Sequence, residues 1–335
     1  MGNTDVNGAP ANAVVPDGSA DAAWRVEIVR RCREIPRLPP YEAALSYREV
    51  VRLEGPHVAA AIEDPAARGK YLTYLKTFTR VPPQQYFTDH NYAQKLQPAI
   101  ELVRSPSVSV VLDAACGNGF EAVLFALHGK RVYANDVSSA RVAVASVRTA
   151  LYRELLGAEF QMQVMCGNAI ELAAELPSFD MIYVQEAISH IHPAETFLRE
   201  AAQRLLGKDG KLVVCDGNSW NPVTSVRLSL HLWSQRRTLR HYVVEEVEPA
   251  TGRKYVMAME RTFSAWGIRR LFRQAGLDVE RVVMSGFVFP FWVRTPAAPV
   301  ARAIDRWAAK VPVASAFGGF YTAIGSVHHD ANAGR

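Results

Sequence analysis

Between Val108 and Cys215, short apolar runs rich in β-branched residues alternate with stretches of helical periodicity, and Gly, Asn or Asp marks the switches. Runs of this kind are buried on both faces when they stack as parallel strands and the chain returns through right-handed helical crossovers. Strands are expected over 108–112, 131–134, 160–165, 181–184 and 211–215, and helices over 121–127, 142–156 and 194–206. The rhythm breaks after Asp216. It resumes with a helix over 265–275, a strand over 279–284, a helix over 300–310 and a last strand over 320–327. The fold class is therefore α/β, a doubly wound, mostly parallel seven-stranded sheet.

The flanking segments set the domain boundaries. Residues 1–22 are rich in Gly, Ala, Asn, Asp and Pro, lack apolar periodicity and read as a disordered tail. Residues 23–104 read as a helical N-terminal extension broken by prolines, too sparse in apolar residues to stand alone. The core spans 105–217. An inserted cap follows over 218–263, with a hairpin formed by 242–247 and 255–259 around Pro-Ala-Thr-Gly. Residues 264–329 complete the core. Both caps are expected to border a substrate pocket at the carboxyl edge of the sheet.

Composition narrows the functional classes. No apolar run approaches the ~20 residues of a membrane-spanning helix, and the N-terminus lacks a secretory pattern, so the cytosol is the expected location. Cys32, Cys116, Cys166 and Cys215 are too scattered for a zinc site or a disulfide framework and read mostly as small buried hydrophobes, with no metal expected. Net charge is +5, unevenly spread: residues 221–335 hold 16 Lys/Arg against 8 Asp/Glu (+8), and residues 1–220 hold 22 against 25 (−3). The basic third would attract an anionic substrate, an acidic lipid surface or nucleic acid, or form a solvated surface.

The segment from Asp113 to Gly119 follows the first strand, where ligands sit in open parallel sheets. Gly117 and Gly119 allow close backbone approach, and Asp136 ends the second strand, where a carboxylate can take both ribose hydroxyls. Gly117 to Ala122 formally matches the dinucleotide fingerprint G-x-G-x-x-G/A. However, Asp113 and three further residues separate the strand from the first glycine, and an anion there would repel a diphosphate. S-adenosylmethionine (SAM) carries a sulfonium, an ammonium and no phosphate, so the charge pattern favours it.

On these residues the chain resembles the class I SAM-dependent methyltransferases. Val111 to Gly119 resembles their glycine-rich first motif, and Val132 to Ser138 the acidic second. Cys166 to Ala169 resembles the segment beside the adenine, Gln185 to Pro193 the loop after the fourth strand, and Leu205 to Leu212 the turn into the fifth. The resemblance covers about residues 105–217 and implies a methyl transfer that leaves S-adenosylhomocysteine. It implies that Asp113, Gly117 and Gly119 face the methionine moiety, that Ala114 and Asn118 also contact the cofactor and that Asp136 takes the ribose. Val137 should pack on the adenine, Asn168 and Ala169 should lie at its edge, with the Asn168 amide oxygen accepting from its amine, and Gln185 should lie near the sulfur. Many relatives carry Asp at the Asn168 position.

His190 and His192 follow the fourth strand, and His190 is the candidate catalytic base for a hydroxyl acceptor; both histidines are otherwise local packing groups. Glu186 would orient the acceptor or the SAM ammonium, or bond a backbone turn. Tyr86, Phe87 and His90 would form a lid over the cofactor or pack the extension on the core. The aromatic run from Phe287 to Val293, and Val300, Ile304, Trp307 and Val311 with Arg302 and Arg306 interspersed, would line a lipophilic pocket, meet a membrane surface peripherally, or dock on the protein. Arg236, Arg237, Arg240 and His241 would grip a phosphate or carboxylate, or face solvent. No nucleic-acid partner is expected; the expected partner is a small or lipophilic acceptor methylated on O, N or C. An NAD(P)-dependent oxidoreductase and a non-catalytic SAM-binding protein are the alternatives. The sequence does not specify an oligomeric state.

Overall fold

The computed structural model describes residues 18–76, 84–234, 243–247, 252, 254–258, 262–287, 298–311, 314 and 316–327, with the side chains at 18–22, 84–87 and a few positions in the helices at 222–234 and 298–308 excepted. In chain order these form α1 (Gly18–Glu34), α2 (Pro40–Ala61), α3 (Pro65–Leu75), α4 (Gln84–Val103), β1 (Val110–Ala114), α5 (Phe120–Leu127), β2 (Arg131–Asp136) and α6 (Ser139–Leu156). Then come β3 (Met162–Cys166), β4 (Phe179–Gln185), α7 (Ala194–Arg204), β5 (Leu206–Gly217) and α8 (Pro222–Ser234). The hairpin β6 (Val243–Val247) and β7 (Lys254–Ala258) precedes α9 (Ala265–Gln274), β8 (Leu277–Ser285), α10 (Ala298–Ala308) and β9 (Phe320–Val327).

Seven strands form one sheet in the order β3-β2-β1-β4-β5-β9-β8, and β6-β7 form a separate two-stranded ribbon. The pairings among β1 to β5 are parallel, whereas β9 runs antiparallel to both β5 and β8. Chain order reverses between β1 and β4, so the crevice beyond their carboxyl ends is the topological switch point.

β1 lies two residues later than the sequence pattern suggests. The Asp180 carboxylate takes the backbone N–H groups of Ser109 and Val110 at 2.7 and 2.9 Å, which occupies the start of the apolar run. Asp113 and Ala114 are consequently strand residues. Alternation along β1 places Val111 in the hydrophobic cluster shared with α4, α5 and α6, and Leu112 and Ala114 in the cluster shared with α7 and α9.

The N-terminal extension is a third layer. α2 packs along α4, α1 lies on α2, and α3 lies on α6, with Ile28, Tyr47, Val51 and Tyr71 buried among them. α3 also reaches the crevice, since Tyr71 and Tyr74 stack on Phe120 with ring centroids 6.4 and 5.2 Å apart. α1 begins at Gly18, inside the stretch read as a tail. Cys32, Cys116 and Cys215 are buried, but Cys166 at the end of β3 is exposed.

Candidate cofactor and active site

The turn after β1 carries three left-handed residues within five: Ala115 at φ 58°, Gly117 at 56° and Gly119 at 72°. An alanine in that region is strained, and such residues persist where the surroundings hold them. Here the Cys116 N–H donates to the Asn135 carbonyl at 2.8 Å, and the Gly117 N–H donates to the Asp136 carboxylate at 2.9 Å. A Cβ at Gly117 would meet nothing within 4 Å, so the backbone faces open space there. A Cβ at Gly119 would lie 3.1 Å from the Ala145 Cβ and 3.2 Å from the Met162 Cε. Gly117 thus serves the crevice and Gly119 the packing beneath it.

Asp136 is 3% exposed and braces the turn: one carboxylate oxygen accepts from Gly117, and the other accepts from the Ser138 N–H at 2.9 Å. Asp113 is 2% exposed, and its Oδ2 has no hydrogen-bond partner. Burial, together with the nearby carboxyls of Glu121 and Asp136, pushes the Asp113 carboxyl well above the usual range, against the opposing pull of the Ala122 N–H. A simple picture of Asp113 as a standing anion therefore needs correction. Its charge is costly until a cationic or hydrogen-bond-donating group arrives. Such a buried, unsatisfied acceptor beside an open glycine fits an ammonium-bearing ligand and does not fit a diphosphate.

The remaining expected contacts divide. Val137 is 37% exposed at the end of β2, an apolar surface in place for a flat ring. Ala114 and Ala169 bury their methyl groups in the α7–α9 cluster, so any ligand contact from them comes through backbone. The Asn168 amide oxygen already accepts from the Ile170 N–H at 3.0 Å, capping its own turn. Gln185 is held on both sides: its Nε2 donates to Glu121 at 2.9 Å and its Oε1 accepts from the Tyr183 hydroxyl. Ile170 and Tyr183 lie two residues from the amides they meet and Glu121 lies 64 positions from Gln185, commitments that motif position alone does not reveal. Asn118 is fixed through its carbonyl, which accepts from Arg148 at 3.1 Å.

At the carboxyl end of β4, Glu186 adopts φ 47°, and its N–H donates to the Cys215 carbonyl at 2.7 Å. Its carboxylate pairs with Lys95 from α4, whose ammonium also lies 4.5 Å from the Phe320 ring centre. Burial works against the Lys95 ammonium, but Glu186, Cys215 and Glu121 together outweigh it and leave the pKa raised. The same contact holds the Glu186 carboxyl below the usual range. Sequence reading missed Lys95, because nothing local marks a lysine 91 positions from its partner.

His190 sits half-buried where the hairpin meets the core. Its backbone carbonyl accepts from the Ala258 N–H at 2.7 Å, and its Nδ1 lies 3.4 Å from the Ala258 carbonyl. That contact favours the proton on Nδ1 and leaves Nε2 as the acceptor. His192 is half-buried beside it. Asp216, at the end of β5, accepts from the Ser189 and Gly217 N–H groups at 3.1 and 2.6 Å, and burial pushes its carboxyl up to about 6.

His90 is a packing residue. It is 2% exposed and bridges the Tyr41 hydroxyl and the Asp305 carboxylate, each at 2.6 Å, tying α2 and α4 to α10. The side chains of Tyr86 and Phe87, most of the aromatic run after Phe287, and the group Arg236, Arg237, Arg240 and His241 lie outside the described residues. Among the described residues no group of His, Cys, Asp and Glu is arranged to hold a metal.

Residues 112–214 match the family model described as a methyltransferase domain. A probable S-adenosylmethionine-dependent methyltransferase of Mycobacterium tuberculosis, present in strains H37Rv and CDC 1551, is 34% identical over 108 residues. That match covers 32% of this chain and 35% of the relative, so the chain spans about a third of the length of the curated relatives it matches. The crystal structure of magnesium protoporphyrin IX methyltransferase from Synechocystis with bound SAH shares the fold. It is 16% identical, with a TM-score of 0.50 over 81% of this chain and 100% of that one. The stretch from Leu112 to Val214 is thus similar in sequence to the methyltransferase domain and to a probable S-adenosylmethionine-dependent methyltransferase, and the chain shares the fold of a solved methyltransferase.

Proposed function

We propose that this chain transfers a methyl group from SAM to an O, N or C atom of a bulky, lipophilic small molecule. The observation that carries the cofactor half of this reading is the orphaned Asp113 Oδ2 at the foot of the open Gly117 turn. When bound there, SAM supplies an electrophilic methyl group on a positively charged sulfur. The protein's share is placement and desolvation, and alignment alone contributes ~7–11 kcal/mol in well-oriented reactions.

The residues divide that work. Asp136 fixes the Gly117 and Ser138 amides, one on each carboxylate oxygen, and the lone pairs left on those oxygens are the acceptors proposed for the ribose hydroxyls. Asp113 offers its free oxygen to an ammonium. The Lys95–Glu186 pair stands at the end of β4, with Glu186 exposed toward the crevice mouth and Lys95 buried behind it. His190 Nε2 is the group suited to take the acceptor's proton as a new bond forms on its oxygen or nitrogen.

The acceptor half rests on the insertion. α8 and the β6–β7 hairpin follow β5 directly, and the hairpin touches the His190 loop through an Ile191–Met257 bridge. Their apolar residues suit a large hydrophobic molecule better than a polar one. Calorimetric titration with SAM and, separately, with NADH tests the cofactor. SAM should bind and NADH should give no heat; the reverse overturns the proposal. Incubating the protein with radiolabelled SAM and a fractionated lipid extract, with the label then traced into an organic-soluble product, tests the acceptor class.

A further inference from the structure

Two helices of the C-terminal third each carry an apolar stripe that the fold leaves in water. On α8, Val226, Leu230 and Trp233 are 59, 57 and 78% exposed. On α10, Val300, Ile304 and Trp307 are 58, 47 and 64% exposed. Both sets have the spacing i, i+4, i+7, so each occupies one helix face and ends in tryptophan. Ordinary docking turns such a face inward; here, among the described residues, the inward groups of α10 are Asp305, which meets His90, and Ala308.

Topology roots both helices at one edge of the sheet. α8 starts just after the end of β5, and α10 lies between the end of β8 and the start of β9. The register pairs Gly217 with Phe320 and Ser285 with Phe320, so those three strand ends are neighbours. The Asn221 side chain fastens the start of α8 to the segment before β9, donating to the Phe317 carbonyl at 2.7 Å. This is also the edge on which the glycine turn and Glu186 open.

Charge selects the occupant. The residues from 221 onward carry +8 against −3 for the rest, and Arg306 and Lys310 are exposed on and just beyond α10. A second copy of this chain would set two basic faces together. Nucleic acid would leave the apolar stripes without a partner. An anionic bilayer matches both features, since tryptophan favours the headgroup zone and each basic residue near the surface adds attraction. Among the described residues no helix is long and apolar enough to cross a membrane, so α8 and α10 would lie in the interface plane. We infer that this edge docks on an anionic lipid surface and turns the mouth of the crevice toward the bilayer. The inference stands on exposure, topology and charge, independently of the reaction proposed above.

The test is flotation of the full chain with vesicles of phosphatidylcholine alone or with about 30% phosphatidylserine, which sets the negative surface potential. The protein should float with the anionic vesicles, with a blue shift of tryptophan emission, and release as salt is raised. Leu230→Ser with Trp233→Ser, and separately Ile304→Ser with Trp307→Ser, should each weaken binding about tenfold or more, while SAM affinity, the control for folding, stays unchanged. Absence of binding to anionic vesicles overturns the inference. So does binding that neither pair of substitutions alters, or a stable dimer by light scattering that these substitutions dissolve.

Discussion

The ion pair between Glu54 of α2 and Arg148 of α6 connects the N-terminal layer to the cofactor turn, and cutting it should separate stability from ligand affinity. Both side chains are 0% exposed. Arg148 donates from Nε to Glu54 at 2.8 Å, from Nη2 to the Tyr47 hydroxyl at 2.7 Å and from Nη1 to the Asn118 carbonyl at 3.1 Å, while its guanidinium lies 4.2 Å from the Phe120 ring centre. Glu54→Leu leaves a buried cation uncompensated, which costs about 3–5 kcal/mol. At roughly 2–4 °C per kcal/mol, the melting temperature should fall by roughly 6–20 °C. Arg148→Met strands the Glu54 carboxylate and should cost a similar amount. The double variant removes both charges, and removal of a whole buried pair is often close to neutral. What persists is the unpaired Asn118 carbonyl and Tyr47 hydroxyl, about 1–3 kcal/mol each. The double variant should therefore be more stable than the sum of the singles, by about 0.5–3 kcal/mol in a double-mutant cycle read by urea unfolding. SAM affinity by calorimetry should follow Arg148 alone: about tenfold weaker in both variants lacking it, and within a few-fold of the parent in Glu54→Leu, corresponding to one lost hydrogen bond in the turn. Additive stability losses, together with unchanged SAM affinity in Arg148→Met, would refute this reasoning.

Asp136→Ala removes the acceptor for the Gly117 and Ser138 N–H groups, each charge-assisted bond being worth about 1.5–3 kcal/mol, and should weaken SAM at least tenfold by calorimetry. Gly117→Ala should lower the melting temperature through the strain of an alanine at φ 56°, with no clash, and lose SAM binding, because its new methyl group projects into open crevice. Gly119→Ala should lower the melting temperature, because its methyl crowds Ala145 and Met162. His190→Ala should lower kcat by about 10²–10⁴-fold if Nε2 takes the acceptor proton, and a drop smaller than tenfold would assign it to packing. Asp216 releases its proton near 3.8 in the unfolded chain and near 6 in the folded one, so ionisation favours unfolding as pH rises across that window. The stability of Asp216→Asn relative to the parent should thus improve by about 2 kcal/mol between pH 4 and 7, and a flat difference in pH-dependent denaturation would contradict the assignment.

The order of strands and helices, the glycine turn and the acid ending β2 were legible in the sequence because each is a local pattern. A strand is written in consecutive β-branched residues, a helix in its three-to-four-residue period, and a ligand turn in glycines placed just after a strand. Those signals located Asp113, Gly117, Gly119 and Asp136 before any coordinates. They also marked the hairpin and the last strand Phe320–Val327, though neither its antiparallel direction nor its place between β5 and β8.

Tertiary structure decided which side chains are committed and which are left for a ligand. Asp180 reaches back to the start of β1 and moves Asp113 from the turn into the strand. Gln185 and Asn168 spend their polar atoms on Glu121, Tyr183 and Ile170, while Asp113 keeps a bare oxygen. Lys95 meets Glu186, Arg148 meets Glu54 and His90 meets Asp305 across 91, 94 and 215 positions of chain. Such pairings exist only once the sheet has folded and three helical layers have closed on it. A buried charge is recognised by what surrounds it in space, and neighbours along the chain carry no record of that.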